Sequence, residues 1–112
     1  MNLESAPDAS ASIERRQFRR KKFRGKLEIE WGSETLIGTV SDLAPRGLFV
    51  ELTPPLWVRA TFRARLILNP ILQLDCTVCR IEPGRGIGVT FDVPEESGKA
   101  QFEALLATLP QL

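Results

Sequence analysis

Short stretches in which apolar and polar residues alternate recur through most of this 112-residue chain. A period of two places alternate side chains on opposite faces of a β-strand. Turn-forming residues such as Gly, Pro, Asn and Asp separate these stretches. Many short strands at regular spacing are typical of an antiparallel barrel, so the sequence predicts an all-β fold, a six-stranded antiparallel β-barrel. The predicted strands are 27–31, 35–40, 48–52, 60–68, 72–81 and 86–91.

The period changes at the end of the chain. Apolar residues there are spaced i, i+3, i+4 and i+7, which is the stripe of an amphipathic helix. They are Phe102, Leu105, Leu106 and Leu109. The spacing predicts a C-terminal α-helix that packs its apolar stripe on the barrel. Asp92 and Glu95 have the spacing of a capping box ahead of this helix.

The basic residues are concentrated in one segment, residues 15–26. This segment holds eight of the fifteen basic residues and none of the fourteen acidic ones, so the other hundred residues carry a net charge of −7. Such an asymmetry indicates an anionic partner, and above all one that bears phosphate. Four arginines within six positions repel one another and favour an extended, mobile chain.

These patterns predict a domain organisation. Residues 1–13 are rich in small polar residues and are predicted to form a flexible tail. Residues 14–112 form one domain. It consists of a basic arginine arm at 14–25, the barrel at 26–92 and the helix at 93–109.

The apolar runs are all too short to form a membrane span, which needs about 18 residues. Residues 1–14 are polar and contain acids, which is unlike a signal peptide. The sequence therefore predicts a cytoplasmic protein without a membrane-inserted segment.

The residues that most often carry catalysis or bind metals are scarce. The chain has no histidine, and its two cysteines, Cys76 and Cys79, fall within a predicted strand. Positions three apart on a strand point to opposite faces, so the pair is not expected to converge on a metal. With no phosphate loop and no paired-carboxylate motif, we expect neither an enzyme nor a cofactor.

Two motifs stand out against this background. The first is R-x-x-x-R at residues 16–20, preceded by Arg15, and the second is Asp-Leu-Ala-Pro-Arg-Gly at residues 42–47. The pair, together with the strand pattern, resembles the PilZ family of bacterial receptors for cyclic di-GMP, whose pattern is R-x-x-x-R followed by (D/N)-x-S-x-x-G. The resemblance covers roughly residues 14 to 109. It implies a six-stranded barrel with a C-terminal helix, cyclic di-GMP as the ligand and a separate protein as the output partner.

The resemblance also implies which residues contact the ligand, and the arginine arm is expected to become ordered on binding. The implied ligand-binding residues are Arg15, Arg16, Arg20, Asp42, Ala44 and Gly47. A guanidinium can bind phosphate as a fork or stack on a base, and a carboxylate can accept hydrogen bonds from guanine. Gly47 allows the backbone to approach the ligand closely. The sequence leaves open whether Arg46 contributes.

One position departs from the family pattern, because Ala44 stands where the family has serine. The loss of one hydroxyl is expected to cost about 0.5–1.5 kcal/mol of binding. An alternative is therefore a PilZ-fold adaptor that binds proteins with weak or no cyclic di-GMP binding. A small nucleic-acid-binding barrel is a third hypothesis, but the acidic body and the aromatic content of 7% argue against it.

Overall fold

The computed structural model describes residues 20–53 and 56–111. Within them the chain forms six strands followed by one helix. The elements are β1 (Lys21–Trp31), β2 (Glu34–Ala44), β3 (Gly47–Glu51), β4 (Thr61–Leu66), β5 (Leu72–Glu82), β6 (Gly86–Asp92) and α1 (Glu96–Thr108). The predicted tail 1–13 and the first part of the arginine arm lie outside the described residues.

The strands close into an antiparallel barrel in the order β1-β2-β3-β6-β5-β4. Closure is made by β1 and β4, where Leu27 lies opposite Leu66 and Glu30 opposite Arg63. Apolar side chains at alternate positions fill the interior, including Leu27 and Ile29, which are both fully buried. The predicted six-stranded antiparallel β-barrel with a C-terminal α-helix is confirmed.

Helix α1 packs its apolar stripe on the barrel as predicted. Phe102 is buried, and its ring meets that of Phe91 edge to face with 5.1 Å between the ring centroids. Leu105, Leu106 and Leu109 are partly buried against the same core. The helix therefore covers part of the barrel with apolar side chains. The part of the chain that the structure describes contains no helix long and apolar enough to cross a membrane.

The predicted start of the helix is wrong. Strand β6 continues to Asp92, which lies opposite Asp75, and the helix begins at Glu96 rather than at 93. Its N-cap residue, Glu95, makes no side-chain capping hydrogen bond. The capping box is therefore absent, because one of its two predicted members belongs to the sheet.

The barrel begins earlier than the sequence indicates. Strand β1 starts at Lys21 instead of 26, so the second half of the predicted arm is part of the sheet. Its partner is the end of β2, with Lys21 opposite Leu43 and Lys22 opposite Asp42. Both segments look irregular in the sequence, the first because of its charge and the second because of its turn-forming residues, and their pairing extends both strands.

Candidate ligand-binding site

An open pocket of about 290 Å³ lies on the outer face of the barrel, over β2, β3, β6 and β5. Four of the six residues predicted from the sequence line it. They are Arg20, Asp42, Ala44 and Gly47. The structure thus brings together two motifs that are about twenty residues apart in the chain. Arg15 and Arg16 lie outside the described residues, and the ligand-binding role of all six stays a prediction.

A row of mutually opposite residues forms the floor of the pocket. Asp42 on β2 lies opposite Phe49 on β3, Phe49 opposite Gly88 on β6, and Gly88 opposite Arg80 on β5. The neighbours of Phe49 along its strand, Leu48 and Val50, are buried in the core, which places the row on the outer face. The sheet therefore positions an acidic and a basic side chain at the two ends of an apolar floor.

Two β-bulges place these charged side chains on the outer face. Val40 and Val78 point into the core, so strict alternation would point Asp42 and Arg80 inward as well. The strand registers instead shift between Val40 and Asp42, and again between Val78 and Arg80. Each bulge adds one residue and reverses the side on which the next side chains lie. Both charged residues thereby face the pocket instead of the apolar core.

Arg20 and Asp42 form a two-pronged ion pair at one wall of the pocket. Nε of Arg20 donates to Oδ1 at 3.1 Å and Nη2 donates to Oδ2 at 3.3 Å. The hydroxyl of Ser41 donates to Oδ2 at 3.2 Å. The hydrogen bond with Asp42 is the main reason why the pKa of Arg20 is raised, and the negative charge of Glu82 adds to it. Arg20, the last of the four arginines in residues 15–20 that are predicted to be mobile, is thus already held in place without a ligand.

The turn between β2 and β3 contributes the second motif. Only Pro45 and Arg46 lie in the turn, because Ala44 and Gly47 are paired opposite each other in the sheet. The sequence predicts strands at 35–40 and 48–52, so the structure corrects these bounds by extending the two strands to Ala44 and Gly47. A side chain at Gly47 would approach the carbonyl oxygen of Val89 to 3.0 Å, so close packing against β6 favours glycine there. Ala44 presents only a methyl group to the pocket.

Arg46 projects from this turn into solvent and also lines the pocket. Its side chain is 73% exposed, and its Nη2 lies 3.7 Å from Oδ1 of Asp92. An ion pair that is this exposed is weak. Little free energy is therefore lost when Arg46 leaves Asp92 to bind an anion in the pocket. This answers how Arg46 could contribute, which the sequence left open.

Phe49 and Arg80 are pocket residues that the sequence analysis missed. Phe49 is only 1% exposed although it lies on the outer face, because the guanidinium carbons of Arg80 and Arg85 lie 5.6 and 4.5 Å from its ring centroid. A side chain at Gly88 would come within 2.7 Å of Nη1 of Arg80, so Arg80 crosses β6 where glycine leaves room. In the sequence Phe49 stands between Leu48 and Val50, where strict alternation predicts a polar residue. This break in the alternation was the signal that could have identified Phe49.

The two cysteines lie on opposite sides of the barrel wall. Cys76 is buried in the core, and burial, followed by the charge of Asp75, raises the pKa of its thiol to about 12. Cys79 is exposed, lines the pocket and donates its S–H to the carbonyl oxygen of Gly88 at 3.2 Å. The two thiols therefore point away from each other, as expected for positions three apart on a strand. Among the described residues no cluster of His, Cys, Asp or Glu could hold a metal ion.

The pocket suits a ligand that is anionic and also has flat ring systems. Three guanidiniums and one carboxylate line it, from Arg20, Arg46, Arg80 and Asp42. Guanidinium groups bind phosphate oxygens as forks and stack on aromatic bases. A carboxylate accepts hydrogen bonds from the N–H groups of a base such as guanine. The pocket thus combines groups for phosphates with groups for a base.

Comparison with known proteins agrees with this architecture. The PilZ domain of CeSA from a cellulose-synthesizing bacterium has a TM-score of 0.61 and 22% identity, over 79% of this chain and 94% of that chain. The Bacillus subtilis inhibitor of motility, MotI/DgrA, has a TM-score of 0.64 and 14% identity over 84% of this chain. The match covers 53% of MotI/DgrA, about half of its length.

A search of curated proteins finds no match. The family model described as the PilZ domain matches residues 14–108, which is most of the chain and includes both motifs. The chain therefore belongs to the PilZ domain family, a family of cyclic di-GMP receptors.

Proposed function

We propose that this protein is a cyclic di-GMP receptor that passes the signal to a protein partner. The observation that carries the proposal is the meeting of Arg20, from the first motif, with Asp42, Ala44 and Gly47, from the second, around one pocket. Family membership supports it, because both motifs occur in their family order. We infer a binding role rather than a catalytic one, and a cytoplasmic location, where bacterial second messengers act.

Each residue has a role that follows from its chemistry. Arg20 forks onto a phosphate or stacks on a guanine, and Asp42 accepts hydrogen bonds from the guanine N–H groups. To do so, both must exchange part of their mutual contact for contacts with the ligand. Arg15 and Arg16 are expected to close over the ligand from the segment that precedes β1. Their ordering costs entropy, which lowers the net affinity.

Arg80 adds a cation that the two family motifs do not contain. It reaches the pocket from the strand opposite the arginine arm, and its guanidinium lies over Phe49. We propose that it binds a phosphate at the side of the pocket away from Arg20. The two phosphates of cyclic di-GMP would then each have a guanidinium nearby.

A titration by isothermal calorimetry tests the proposal. Cyclic di-GMP, GTP and a short DNA duplex are compared at two salt concentrations, one of them about 150 mM, where purely electrostatic contacts are heavily weakened. We expect binding of cyclic di-GMP and not of DNA. Equal binding of both ligands with a steep salt dependence would refute the receptor and favour a nucleic-acid-binding barrel.

Variants locate the binding site. Arg20→Ala is expected to weaken binding by about 1.5–3 kcal/mol, because it removes a charge-assisted contact. Arg63→Ala is the matched control, since Arg63 is 79% exposed on β4 and does not line the pocket. An equal loss in both variants would mean that net charge, not the pocket, governs binding.

Ala44 favours a second candidate function. With a methyl group in place of the family hydroxyl, the same fold can serve as an adaptor that binds a protein partner without cyclic di-GMP. The two candidates differ in one measurement. If the natural protein fails to bind cyclic di-GMP while Ala44→Ser binds it, the adaptor is the correct function.

A further inference from the structure

The carboxylate of Glu82 holds two arginines at the edge of the pocket. Its Oε2 accepts a hydrogen bond from Nε of Arg80 at 3.0 Å, and its Oε1 accepts one from Nη1 of Arg85. These two guanidiniums are the ones that cover Phe49. Glu82 is thus part of the pocket's electrostatics although it does not itself line the pocket.

The position of Arg80 does not depend on Glu82 alone. Its side chain crosses β6 at Gly88, where any other residue would displace it, and its guanidinium lies over the ring of Phe49. The sheet and the ring therefore keep Arg80 at the pocket. Among the described residues, Glu82 is the one carboxylate that forms an ion pair with Arg80.

The negative charge of Glu82 acts across the pocket as well. It contributes to the raised pKa of Arg20, which lies on the opposite wall. A charge that stabilises these cations competes with any anion that binds to them. Since the Glu82 side chain is 33% exposed, solvent screens this competition only in part.

We propose that Glu82 sets the affinity of the pocket by competing with the ligand's phosphates for Arg80. The inference rests on the proposed function, in which a phosphate of cyclic di-GMP binds to Arg80. Binding then replaces a carboxylate partner with a phosphate partner instead of filling an unpaired cation. Each such contact then contributes less free energy of binding than a contact with an unpaired arginine. The receptor therefore releases its ligand more readily than the number of arginines predicts.

The substitution Glu82→Gln isolates the charge. Glutamine has the same length and keeps an oxygen that accepts the hydrogen bond from Arg80, so the position of the guanidinium is retained. The competing negative charge is lost, and with it the hydrogen bond from Arg85, because the amide nitrogen of glutamine cannot accept one. We expect cyclic di-GMP to bind about three- to fivefold more tightly, which corresponds to the strength of a partly exposed ion pair.

A double-mutant cycle tests whether Glu82 lowers the affinity for cyclic di-GMP through Arg80. Cyclic di-GMP is titrated into the natural protein, Glu82→Gln, Arg80→Ala and the double variant, at low salt and at about 150 mM salt. Arg80→Ala should weaken binding by about tenfold or more. In the Arg80→Ala background the gain from Glu82→Gln should fall below twofold. The gain in the single variant should shrink as salt rises.

Glu30→Gln is the matched control for net charge. Glu30 is also a strand carboxylate paired with an arginine, Arg65, but it is remote from the pocket at the far end of β1. It should leave the affinity unchanged. Thermal melting of every variant verifies that each one is folded.

The outcomes separate the two proposals. If the natural protein binds cyclic di-GMP and Glu82→Gln binds it no more tightly, the competition by Glu82 is refuted and the receptor function stands. A gain that persists in full without Arg80, or that Glu30→Gln reproduces, also refutes it. If neither the natural protein nor Glu82→Gln binds cyclic di-GMP, both proposals are overturned.

Discussion

Removal of the Arg20 side chain should destabilise the fold as well as weaken binding. Asp42 is the one buried polar or charged residue in the described part of the chain, and its side chain is 8% exposed next to that of Arg20, which is 48% exposed. In Arg20→Ala the carboxylate keeps the hydrogen bond from Ser41 but loses both bonds from Arg20. A poorly solvated negative charge is then left without a cationic partner.

The magnitude lies between two known limits. Exposed ion pairs contribute about 0.2–1 kcal/mol, whereas loss of one partner of a fully buried pair costs about 3–5 kcal/mol. Water can reach the space left by the half-exposed Arg20 and solvate the carboxylate in part. We therefore expect Arg20→Ala to lower the free energy of unfolding by about 1–2 kcal/mol, or the Tm by roughly 5–15 °C for a domain of this size.

Urea unfolding at neutral pH measures this effect directly. The midpoint should fall while the slope with urea stays the same, because the unfolded chain exposes the same surface. Arg63→Ala removes an exposed cation 4.0 Å from Asp75 and should stay within about 0.5 kcal/mol of the natural protein. In Arg20→Ala/Asp42→Asn the unpaired charge is absent, so this double variant should be more stable than Arg20→Ala alone.

One result would refute the reasoning. If Arg20→Ala unfolds within about 0.3 kcal/mol of the natural protein, the ion pair with Asp42 does not stabilise the fold. The arginine arm would then be free up to the start of β1, as its charge alone predicts.

Three further variants or probes test other parts of the pocket. Ala44→Ser should tighten cyclic di-GMP binding by roughly three- to tenfold, the worth of one hydrogen bond, and an unchanged affinity in calorimetry would mean that position 44 does not face the ligand. Cys79 should react with a maleimide at pH 8 and be protected from it by cyclic di-GMP, whereas Cys76, whose pKa of about 12 keeps it a thiol, should react only on unfolding. Mass spectrometry measures the labelling, and a labelled Cys76 in the folded protein would contradict its burial. Gly88→Ala should displace the Arg80 guanidinium and weaken binding by about tenfold with little change in Tm, and an unchanged affinity would show that Arg80 does not contact the ligand.

The fold was predictable from the sequence because alternation and turn residues are local signals. Leu27 and Ile29 alternate with charged residues, and each is fully buried in the barrel. The spacing of the C-terminal apolar residues likewise located the helix, although not its first turn. These signals require no knowledge of which strands pair.

The extent of the strands was less predictable for a physical reason. The segment from Lys21 to Gly25 is highly charged, and Ser41 to Ala44 contains turn-forming residues, so neither reads as a strand by itself. Each is stabilised by pairing with the other. Pairing between distant segments is a tertiary effect that overrides local propensity.

The candidate site was predictable only where a motif marks it. Arg20, Asp42 and Gly47 belong to motifs, and the structure brings them to one pocket. Arg80 belongs to none, and strict alternation from Val78 would place it in the core. A bulge is invisible in the alternation pattern until the paired strand is known, so the face on which Arg80 lies could not be deduced from the sequence.

The two bulges also explain how a small barrel holds charges close to its core without burying them unpaired. Each bulge turns one charged side chain outward, and a nearby group of opposite charge then pairs with it, Arg20 with Asp42 and Glu82 with Arg80. Such paired charges cost the fold little, whereas unpaired ones beside an apolar core would be expensive. Each of the three guanidiniums that line the pocket has a carboxylate partner in the absence of ligand, Asp42 for Arg20, Asp92 for Arg46 and Glu82 for Arg80. Binding of an anion at this face therefore depends on replacing these carboxylates with anionic groups of the ligand more than on excess positive charge. This is compatible with the net charge of −7 that the chain carries outside residues 15–26.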